Sequence, residues 1–429
     1  MIPLSLDEIR RIPGRLDVAP WADGVTGVQV DSRRIDENDL FVAVGDGAAF
    51  VKHAFARGAA ATLVADDPFA ALGALAIAVR GRSHARVIGV TGSTGKTSTK
   101  DILAALCRPH ARTVAAEEGY NNEIGLPLTV LRLEPETEVL VVEMGMRGLG
   151  QIRELAEIAR PDVGVVTAVG PVHLELLGTV ERVAEAKAEL LAALPPGAVG
   201  VVPAEPVLEP HLPAGLDLRT FGPGGESVVT GFEAGDRTAR VTFDLHGRQL
   251  EVDFTFTARH QAENALAALL AVEALDLPFP DSPVEVELSR WRGEESPIPG
   301  GGLLVNDSYN ANPMSMKAAL SHLARRAGTR RRVAVLGDMA ELGVGAPDFH
   351  VSVGRAAAES GVDLLVAVGP LSRGYAQGAP EVDSVWFETV PEADRALPTL
   401  IRPGDAVLLK ASRAMGLEKL ADTLSTVAA

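Results

Sequence analysis

Cysteine is almost absent from this sequence. Cys107 is the single cysteine among 429 residues, so intramolecular disulfides and cysteine metal clusters are excluded, which fits a reducing cytoplasm. It lies in the apolar pattern of a predicted helix. There, a buried core thiol is the expected role, and a catalytic nucleophile is not.

Long apolar runs and excess positive charge are also missing. No apolar run reaches the ~18 residues that a membrane span needs. The first residues lack the basic region and apolar core of a secretory signal, so we expect a cytoplasmic protein. With 40 Lys and Arg against 57 Asp and Glu, the formal net charge is −17, which argues against general nucleic-acid binding. The 47% hydrophobic content predicts a globular chain of two or three domains, which we expect to be a monomer.

Apolar strands alternate with helical stretches and predict an α/β protein of three domains. Residues 1–80 contain short strands of a small α/β domain. Residues 81–291 contain continuous Val/Leu-rich runs, typical of parallel strands buried on both faces. An alternating stretch in this region predicts an antiparallel hairpin that turns near His246 and Gly247. Residues 292–429 are predicted to form a doubly wound, Rossmann-like domain. It begins with a Gly/Pro-rich segment, residues 292–302, which is interpreted as a linker that precedes its strands.

The stretch GVTGSTGKTSTK, residues 89–100, predicts a phosphate-binding loop between a strand and a helix. Its glycine spacing differs from that of the common nucleotide loop, which would have glycine where Val90 stands. Backbone N–H groups and the helix N-terminus would surround a polyphosphate. Lys96 would neutralise the β- and γ-phosphates, and the Thr97 hydroxyl would ligate Mg²⁺. A glycine-rich turn that contains Lys by chance is the alternative, and the closing Gly-Lys-Thr favours phosphate binding.

Three more residues are candidates for the same centre. Glu143 ends an apolar strand, and a carboxylate at the carboxyl end of a parallel strand faces the ligand crevice. It is therefore a candidate metal ligand, with a solvated strand end as the ordinary alternative. His173 follows another strand and Lys187 lies in a predicted helix; taken alone, both have ordinary surface or core roles as the default.

Eight motifs occur in the order seen in the Mur ligases, which the chain resembles over nearly its whole length. They are VTGSTGKTSTKDIL, NNEIGLPLTVL, VVEMGMRGLGQI, VGPVHLELLGTVERVAEAKAEL, RHQAENALAA, NDSYNANPMSM, VLGDMAELG and LLKASRAM. The glycine spacing of the phosphate loop is the form that this family uses. DSYNANP together with GDMAELG resembles the members that add D-alanyl-D-alanine.

The resemblance implies a reaction and its participants. ATP would phosphorylate the carboxylate of UDP-N-acetylmuramoyl-tripeptide, and the amine of D-alanyl-D-alanine would displace phosphate from the acyl phosphate. Two Mg²⁺ ions and a CO₂-derived carbamate on Lys187 are implied as cofactors. The first domain would bind the UDP moiety, the central domain ATP, and the C-terminal domain the dipeptide.

The resemblance also assigns residues to these roles. Catalysis is assigned to Lys96, Glu143, His173 and Lys187, and metal binding to Thr97, Glu143, His173 and carbamylated Lys187. The ATP-binding set is Gly92, Ser93, Thr94, Gly95, Lys96, Thr97, Ser98, His260, Asn264, Arg292, Asp307, Tyr309 and Asn310. The substrate set is Ser32, Arg33, Asn121, Asn122, Arg147, Asn312, Lys410, Ser412 and Arg413. Without the resemblance, Ser32 and Arg33 form a polar turn, and Asn121 and Asn122 cap a helix.

Three alternative functions stay open at this point. One is a Mur-type ligase that adds a single amino acid, and another is a folate polyglutamate ligase; the apparent UDP-sugar domain argues against the latter. The third, from a different class, is a non-catalytic ATP-binding regulator. The presence of Lys96, Glu143, His173 and Lys187 argues against a degenerate site.

Overall fold

The computed structural model describes residues 1–281 and 283–426. Within these residues the chain forms four β-sheets with helices packed around them, and the α/β fold predicted from the sequence is confirmed. Over the same ranges, no helix combines the length and apolar character needed to cross a membrane.

The first region is a small α/β unit. One sheet has the strand order Gly14–Val18, Ala61–Ala65, Asp39–Val42 and Gly27–Gln29, and a short pair joins Leu4–Ser5 to Gly24–Val25. Its helices are Leu6–Arg10, Val51–Ala56 and Pro68–Arg80, with a 3-10 helix at Gly45–Phe50. The last helix packs against the central region, where Arg80 Nε donates to Ala159 O at 2.8 Å. The two regions therefore share one apolar core.

The central region is built on one large sheet. Its strand order, within the described chain, is Arg248–Phe254, Ala239–Leu245, Ser227–Ala234, Asp217–Phe221, Val199–Pro203, Val163–Val166, Arg86–Thr91, Val139–Glu143 and Thr113–Ala115. The surrounding helices are Lys96–Cys107, Gly125–Val130, Gln151–Ala159, Leu174–Leu177, Val180–Ala192 and His260–Ala274, with a 3-10 helix at Glu209–His211. Cys107 is buried in this core, as expected for a packed thiol.

The strand before the phosphate loop lies at the point where the chain changes direction across this sheet. Arg86–Thr91 is parallel to Val139–Glu143 on one side and to Val163–Val166 on the other. The prediction of parallel, buried strands is confirmed for all three, which are almost wholly buried. In open parallel sheets, such a switch point creates a crevice at the carboxyl ends of the strands, where ligands bind.

The predicted hairpin is also confirmed. Ala239–Leu245 and Arg248–Phe254 are antiparallel, with Leu245 opposite Arg248. The two residues of the turn, His246 and Gly247, have φ of 51° and 85°, which suits the tight turns that match the twist of paired strands.

The C-terminal region contains a second sheet, and here the linker interpretation is wrong. The strand order is Glu294–Ile298, Gly302–Asn306, Ala406–Lys410, Arg332–Gly337, Leu364–Val368 and Asp383–Phe387. Instead of a linker, residues 292–302 contain the antiparallel edge strand Glu294–Ile298, which turns at Pro299–Gly301 into Gly302–Asn306. Glycine and proline supply that turn, and Pro297 is tolerated because it lies on the edge strand.

Helices cover both faces of the C-terminal sheet, giving the predicted doubly wound arrangement. They are Pro313–Ala327, Ala346–Glu359, Arg373–Gly378, Val390–Leu400 and Leu420–Thr426, with 3-10 helices at Gly343–Gly345, Arg413–Met415 and Leu417–Lys419. Separate apolar clusters lie on the two faces. All strand pairs except the edge pair are parallel.

Candidate active site

The phosphate loop has a backbone that only glycine adopts easily at two positions. Gly92 and Gly95 have φ of 151° and 84°, in the region that favours glycine. A Cβ at Gly92 would collide with Thr167 Oγ1, and one at Gly95 with Asn264 Oδ1. Gly95 directly precedes the helix Lys96–Cys107, so the backbone N–H groups of the first helical turn are available to an anion.

Lys96, Thr97 and Glu143 meet at the end of this loop. Lys96 Nζ donates to Gly92 O at 2.7 Å, and Thr97 Oγ1 donates to Glu143 Oε2 at 2.8 Å. Burial lowers the pKa of Lys96, and the charge of Glu143 partly opposes this. A half-buried cation next to a hydroxyl–carboxylate pair provides both a phosphate partner and oxygen ligands for a hard divalent cation.

The two neighbouring asparagines have different surroundings. Asn121 Nδ2 donates to Glu143 Oε1 at 2.8 Å, so this side chain fixes the second carboxylate oxygen. Asn122 Oδ1 accepts from Gly125 N at 2.9 Å, which is the helix-capping role considered as the alternative. The structure therefore places Asn121 against Glu143, beside the phosphate loop, and Asn122 at the start of the next helix.

His173 and Lys187 both lie close enough to Lys96 to be affected by its positive charge. Burial is the main cause that lowers the pKa of His173, and the charges of Lys96 and Lys187 lower it further. Lys187 is 2% exposed, and burial, followed by the charge of Lys96, lowers its pKa well below the ordinary value. Three basic side chains in one region favour anionic ligands, and a buried lysine of lowered pKa is a better nucleophile.

A cavity of about 600 Å³ opens beside the loop. Most of the predicted ATP-binding residues line it: Ser93, Thr94, Gly95, Lys96, Thr97, Ser98, His260, Asn264, Arg292, Asp307, Tyr309 and Asn310. Gly92 lies immediately before this set in the loop. Residues of both the central and the C-terminal sheets thus form one concave surface, large enough for a small organic ligand.

Several buried polar atoms in this cavity have no partner. Within the described ranges these include His260 Nδ1, Glu263 Oε2 and Arg292 Nε. Burial lowers the pKa of His260 to about 4 and raises that of Glu263. Buried polar groups are usually hydrogen-bonded, so these atoms indicate a polar ligand. Nitrogen and oxygen groups of this kind suit a nucleobase edge.

The C-terminal side of the cavity is an ordered polar network. Lys410 Nζ donates to Asp307 Oδ2 at 2.7 Å and to Asn310 O at 2.9 Å. The Arg292 guanidinium carbon lies 3.9 Å from the centre of the Tyr309 ring, a cation–π contact. Burial lowers the pKa of Lys410, and the carboxylate of Asp307 opposes that shift. Lys410 therefore lies with the nucleotide-site candidates.

The remaining C-terminal candidates are more dispersed. Asn312 Nδ2 donates to Ser93 O at 3.2 Å, which joins the C-terminal helix to the phosphate loop. Ser412 Oγ accepts from Ala340 N at 2.8 Å. Arg413 pairs with Glu418 at 2.7 Å. Of these three, only Asn312 lines the loop cavity.

A separate cavity of about 740 Å³ lies in the first region and is lined in part by Ser32 and Arg33. Ser32 Oγ is 2.9 Å from His53 Nδ1, and Arg33 pairs with Asp31 at 2.7 Å. The next residue, Arg34, donates to Tyr120 OH at 3.0 Å. This last contact links the first region to the central one and was not predicted from the sequence.

Other site residues were also missed. Thr167 Oγ1 donates to Thr94 O at 2.5 Å, and this hydrogen bond holds the backbone of the phosphate loop in place. Gln261 joins Ser98 to Asn264 through contacts of 3.3 and 2.8 Å. The position of Thr167 directly after a parallel strand was a usable signal, because side chains at strand ends face the crevice.

The donor set fits Mg²⁺. Hydroxyl and carboxylate oxygens are the ligands that this ion prefers, and it usually keeps further positions for water and phosphate. Across residues 1–281 and 283–426, no three His, Cys, Asp or Glu side chains form a metal cluster. A cation held by Thr97 and Glu143 would thus take its remaining ligands from the substrates, from water or from a modified side chain.

Comparison with known proteins identifies relatives over nearly the whole chain. Residues 90–272 match the Mur ligase middle domain, and residues 292–413 match the Mur ligase, glutamate ligase domain. The UDP-N-acetylmuramoyl-tripeptide–D-alanyl-D-alanine ligase of Synechocystis sp. is 35% identical over 422 residues, 92% of this chain and 90% of the relative.

Solved structures show the same likeness. MurF from Acinetobacter baumannii superposes with a TM-score of 0.87 at 27% identity, and 99% of each chain is covered. The MurF ligase from Thermotoga maritima in complex with ADP has a TM-score of 0.82 at 28% identity, with 94% of this chain and 97% of that chain covered.

Proposed function

The chain belongs to the Mur ligase family, and we propose that it uses ATP to join D-alanyl-D-alanine to UDP-N-acetylmuramoyl-tripeptide. The arrangement of Lys96, Thr97, Glu143 and Arg292 around the phosphate loop is the observation that carries this proposal. Arg292 Nη2 donates to Thr97 Oγ1 at 3.0 Å, so positive groups approach the phosphate position from two sides. The relative whose name specifies this reaction is matched over 92% of this chain and 90% of its own length.

The chemistry follows from the poor reactivity of a carboxylate. A carboxylate oxygen of the tripeptide attacks the γ-phosphorus, the bond between that phosphorus and the β,γ-bridging oxygen breaks, and ADP leaves. The amine of D-alanyl-D-alanine then attacks the acyl carbon. The new C–N bond forms, the C–O bond to phosphate breaks and the amine loses a proton. The protein contributes alignment and charge neutralisation.

Four side chains are proposed to hold two Mg²⁺ ions. These are Thr97, Glu143, His173 and carbamylated Lys187. When bound, the ions neutralise the phosphate charges that develop during phosphoryl transfer. Asn121 orients Glu143 through its second oxygen, as observed at 2.8 Å.

The carbamate on Lys187 has a physical rationale. The neutral amine of a buried lysine with lowered pKa attacks CO₂, a C–N bond forms and one proton leaves. The product is an anion beside the basic groups Lys96 and His173, where a protonated Lys187 would be repelled by the charge of Lys96. The modification would therefore remove a like-charge repulsion and add oxygen ligands.

The remaining substrate groups are assigned by region. Residues 1–80 are proposed to bind the UDP moiety through Ser32 and Arg33, residues 81–291 to bind ATP, and residues 292–429 to close over it. Adenine would contact His260 and Asn264, the ribose Asp307, and the base face Tyr309. The muramoyl peptide would follow Asn121, Asn122 and Arg147, and the dipeptide would lie near Asn312, Lys410, Ser412 and Arg413.

Phosphate release by the purified chain with ATP and Mg²⁺ tests the proposal. UDP-N-acetylmuramoyl-tripeptide and D-alanyl-D-alanine are supplied separately and together. We expect phosphate only with both, and a product heavier by the dipeptide. Faster reaction with a single amino acid would move the chain to another branch of the family, and ATP hydrolysis independent of both substrates would support a regulatory protein.

A further inference from the structure

Two residues with left-handed backbone meet across the boundary between the central and C-terminal sheets. His173 follows the strand Val163–Val166, and Glu341 follows Arg332–Gly337. Their φ angles are 52° and 61°, which are uncommon for residues other than glycine. His173 Nδ1 lies 2.5 Å from Glu341 Oε2. Such backbone persists where surrounding contacts enforce it, so both loops are built to make this contact.

The Glu341 loop is anchored on both sides of the boundary. On the C-terminal side, Ala340 N donates to Ser412 Oγ at 2.8 Å. On the central side, Glu175 N donates to Glu341 O at 3.2 Å. The other carboxylate oxygen, Oε1, lies 3.7 Å from Arg147 Nε. One residue therefore touches three separate positions of the central region.

The contact determines which imidazole nitrogen carries the hydrogen. An ionised carboxylate can only accept a hydrogen bond, so the ring nitrogen that faces Glu341 must be the donor. In neutral His173 this leaves the lone pair on Nε2. Metal-ligating histidines characteristically donate their other ring N–H to a carboxylate or carbonyl, which fixes the tautomer and the ring orientation.

We propose that Glu341 is a positioning residue that fixes the Nδ1–H tautomer of His173 and presents Nε2 as a metal ligand when the two domains are together. This inference rests on the proposed function, in which His173 binds Mg²⁺. Neither Glu341 nor His173 belongs to the described lining of the nucleotide cavity; Glu341 touches His173 directly and therefore acts through it. Because the loop is also bound to Ser412, the metal centre is connected to the proposed dipeptide region.

The tautomer can be measured directly without turnover. ¹⁵N NMR of histidine-labelled protein, with a non-hydrolysable ATP analogue, identifies the protonated nitrogen, and loss of one signal set in His173→Gln assigns His173. We expect the Nδ1–H form in the parent and in Glu341→Gln, whose amide oxygen can still accept. Glu341→Leu should shift His173 towards the Nε2–H form. Identical spectra in the parent and Glu341→Leu would overturn the proposal, as would loss of the Nδ1–H form in Glu341→Gln.

Metal affinity provides the second readout. With the same analogue, Mn²⁺ binding followed by electron paramagnetic resonance should weaken about tenfold in Glu341→Leu, as for other residues that orient metal ligands. The matched variant Glu359→Leu changes an exposed glutamate of the same region and should retain parental affinity. Unchanged Mn²⁺ affinity in Glu341→Leu overturns the proposal. Neither readout needs the ligase reaction, so absence of amide product in the parent would contradict the proposed function alone.

Discussion

Arg292 and Thr97 are 195 positions apart in the chain, and Arg292 Nη2 lies 3.0 Å from Thr97 Oγ1. The same guanidinium stacks on Tyr309. One side chain therefore joins the phosphate loop to a ring of the C-terminal region. Since Thr97 also donates to Glu143, the arrangement at the loop depends on contacts from both regions.

Arg292→Lys should lower kcat about 100-fold, with a smaller change in the KM for ATP. A lysine retains the charge, but it cannot both donate to Thr97 and stack on Tyr309, because those two contacts require a planar fork. Loss of one positioned donor to a developing charge typically costs this much in rate. Steady-state kinetics on Arg292→Lys and on Arg290→Lys, an exposed arginine two residues away, provide the test. Equal kcat in both variants would contradict the role given to Arg292.

Lys187→Ala should reduce kcat by at least 100-fold, and short carboxylic acids should restore part of it. Alanine removes the nitrogen that carries the carbamate, and a small carboxylate can occupy the vacated volume and supply oxygen ligands. The measurement is ligase rate against acetate or propionate concentration. Lys419→Ala, which changes an exposed lysine, should show neither the loss nor the rescue. Wild-type rates in Lys187→Ala would rule out the carbamate.

Binding of substrates should draw the central and C-terminal domains together. The nucleotide cavity is formed by both, so a ligand that contacts both faces stabilises the closed arrangement. Small-angle X-ray scattering with a non-hydrolysable ATP analogue and UDP-N-acetylmuramoyl-tripeptide should give a smaller radius of gyration than the free protein, whereas D-alanyl-D-alanine alone should not. A radius that is the same in all three samples would argue against closure.

Glu295 should make stability depend on acid pH. It accepts from His322 Nε2 at 2.9 Å, from Arg326 Nη2 at 2.7 Å and from Thr257 Oγ1 at 2.6 Å. Burial raises the pKa of Glu295, but these hydrogen bonds outweigh it and lower the pKa from 4.5 to about 2. Because the folded pKa is lower, the stabilisation is present above pH 4.5 and is lost as the pH falls towards 2.

Glu295→Gln should therefore lower the free energy of unfolding by about 3 kcal/mol at neutral pH. Its stability should also decline less than that of the parent between pH 4.5 and pH 2. Denaturant unfolding across this range measures both effects. Glu294→Gln changes the exposed neighbouring carboxylate and should behave like the parent. Parallel pH profiles for the parent and Glu295→Gln would contradict this account.

The sequence predicts the strands and the phosphate loop well because local chemistry determines them. Val/Leu-rich runs indicate buried strands, and a glycine at position 95 allows the positive φ that the loop needs. Both signals lie within short segments of the chain. The linker prediction is wrong because it depends on a local signal alone. Gly300 and its proline neighbour indicate a turn, but a turn signal alone does not distinguish a linker from a hairpin. Glu341 was missed because its contacts join loops that are distant in the chain, whereas Thr167 was missed although it directly follows a parallel strand.

Transfer of oxygen from the carboxylate to phosphate tests the central claim most directly. UDP-N-acetylmuramoyl-tripeptide labelled with ¹⁸O in its terminal carboxylate is incubated with the protein, ATP, Mg²⁺ and D-alanyl-D-alanine, and both products are analysed by mass spectrometry. The account predicts one ¹⁸O in each released phosphate, together with ADP and the tripeptide lengthened by the dipeptide. Unlabelled phosphate, or AMP and pyrophosphate in place of ADP and phosphate, would contradict it.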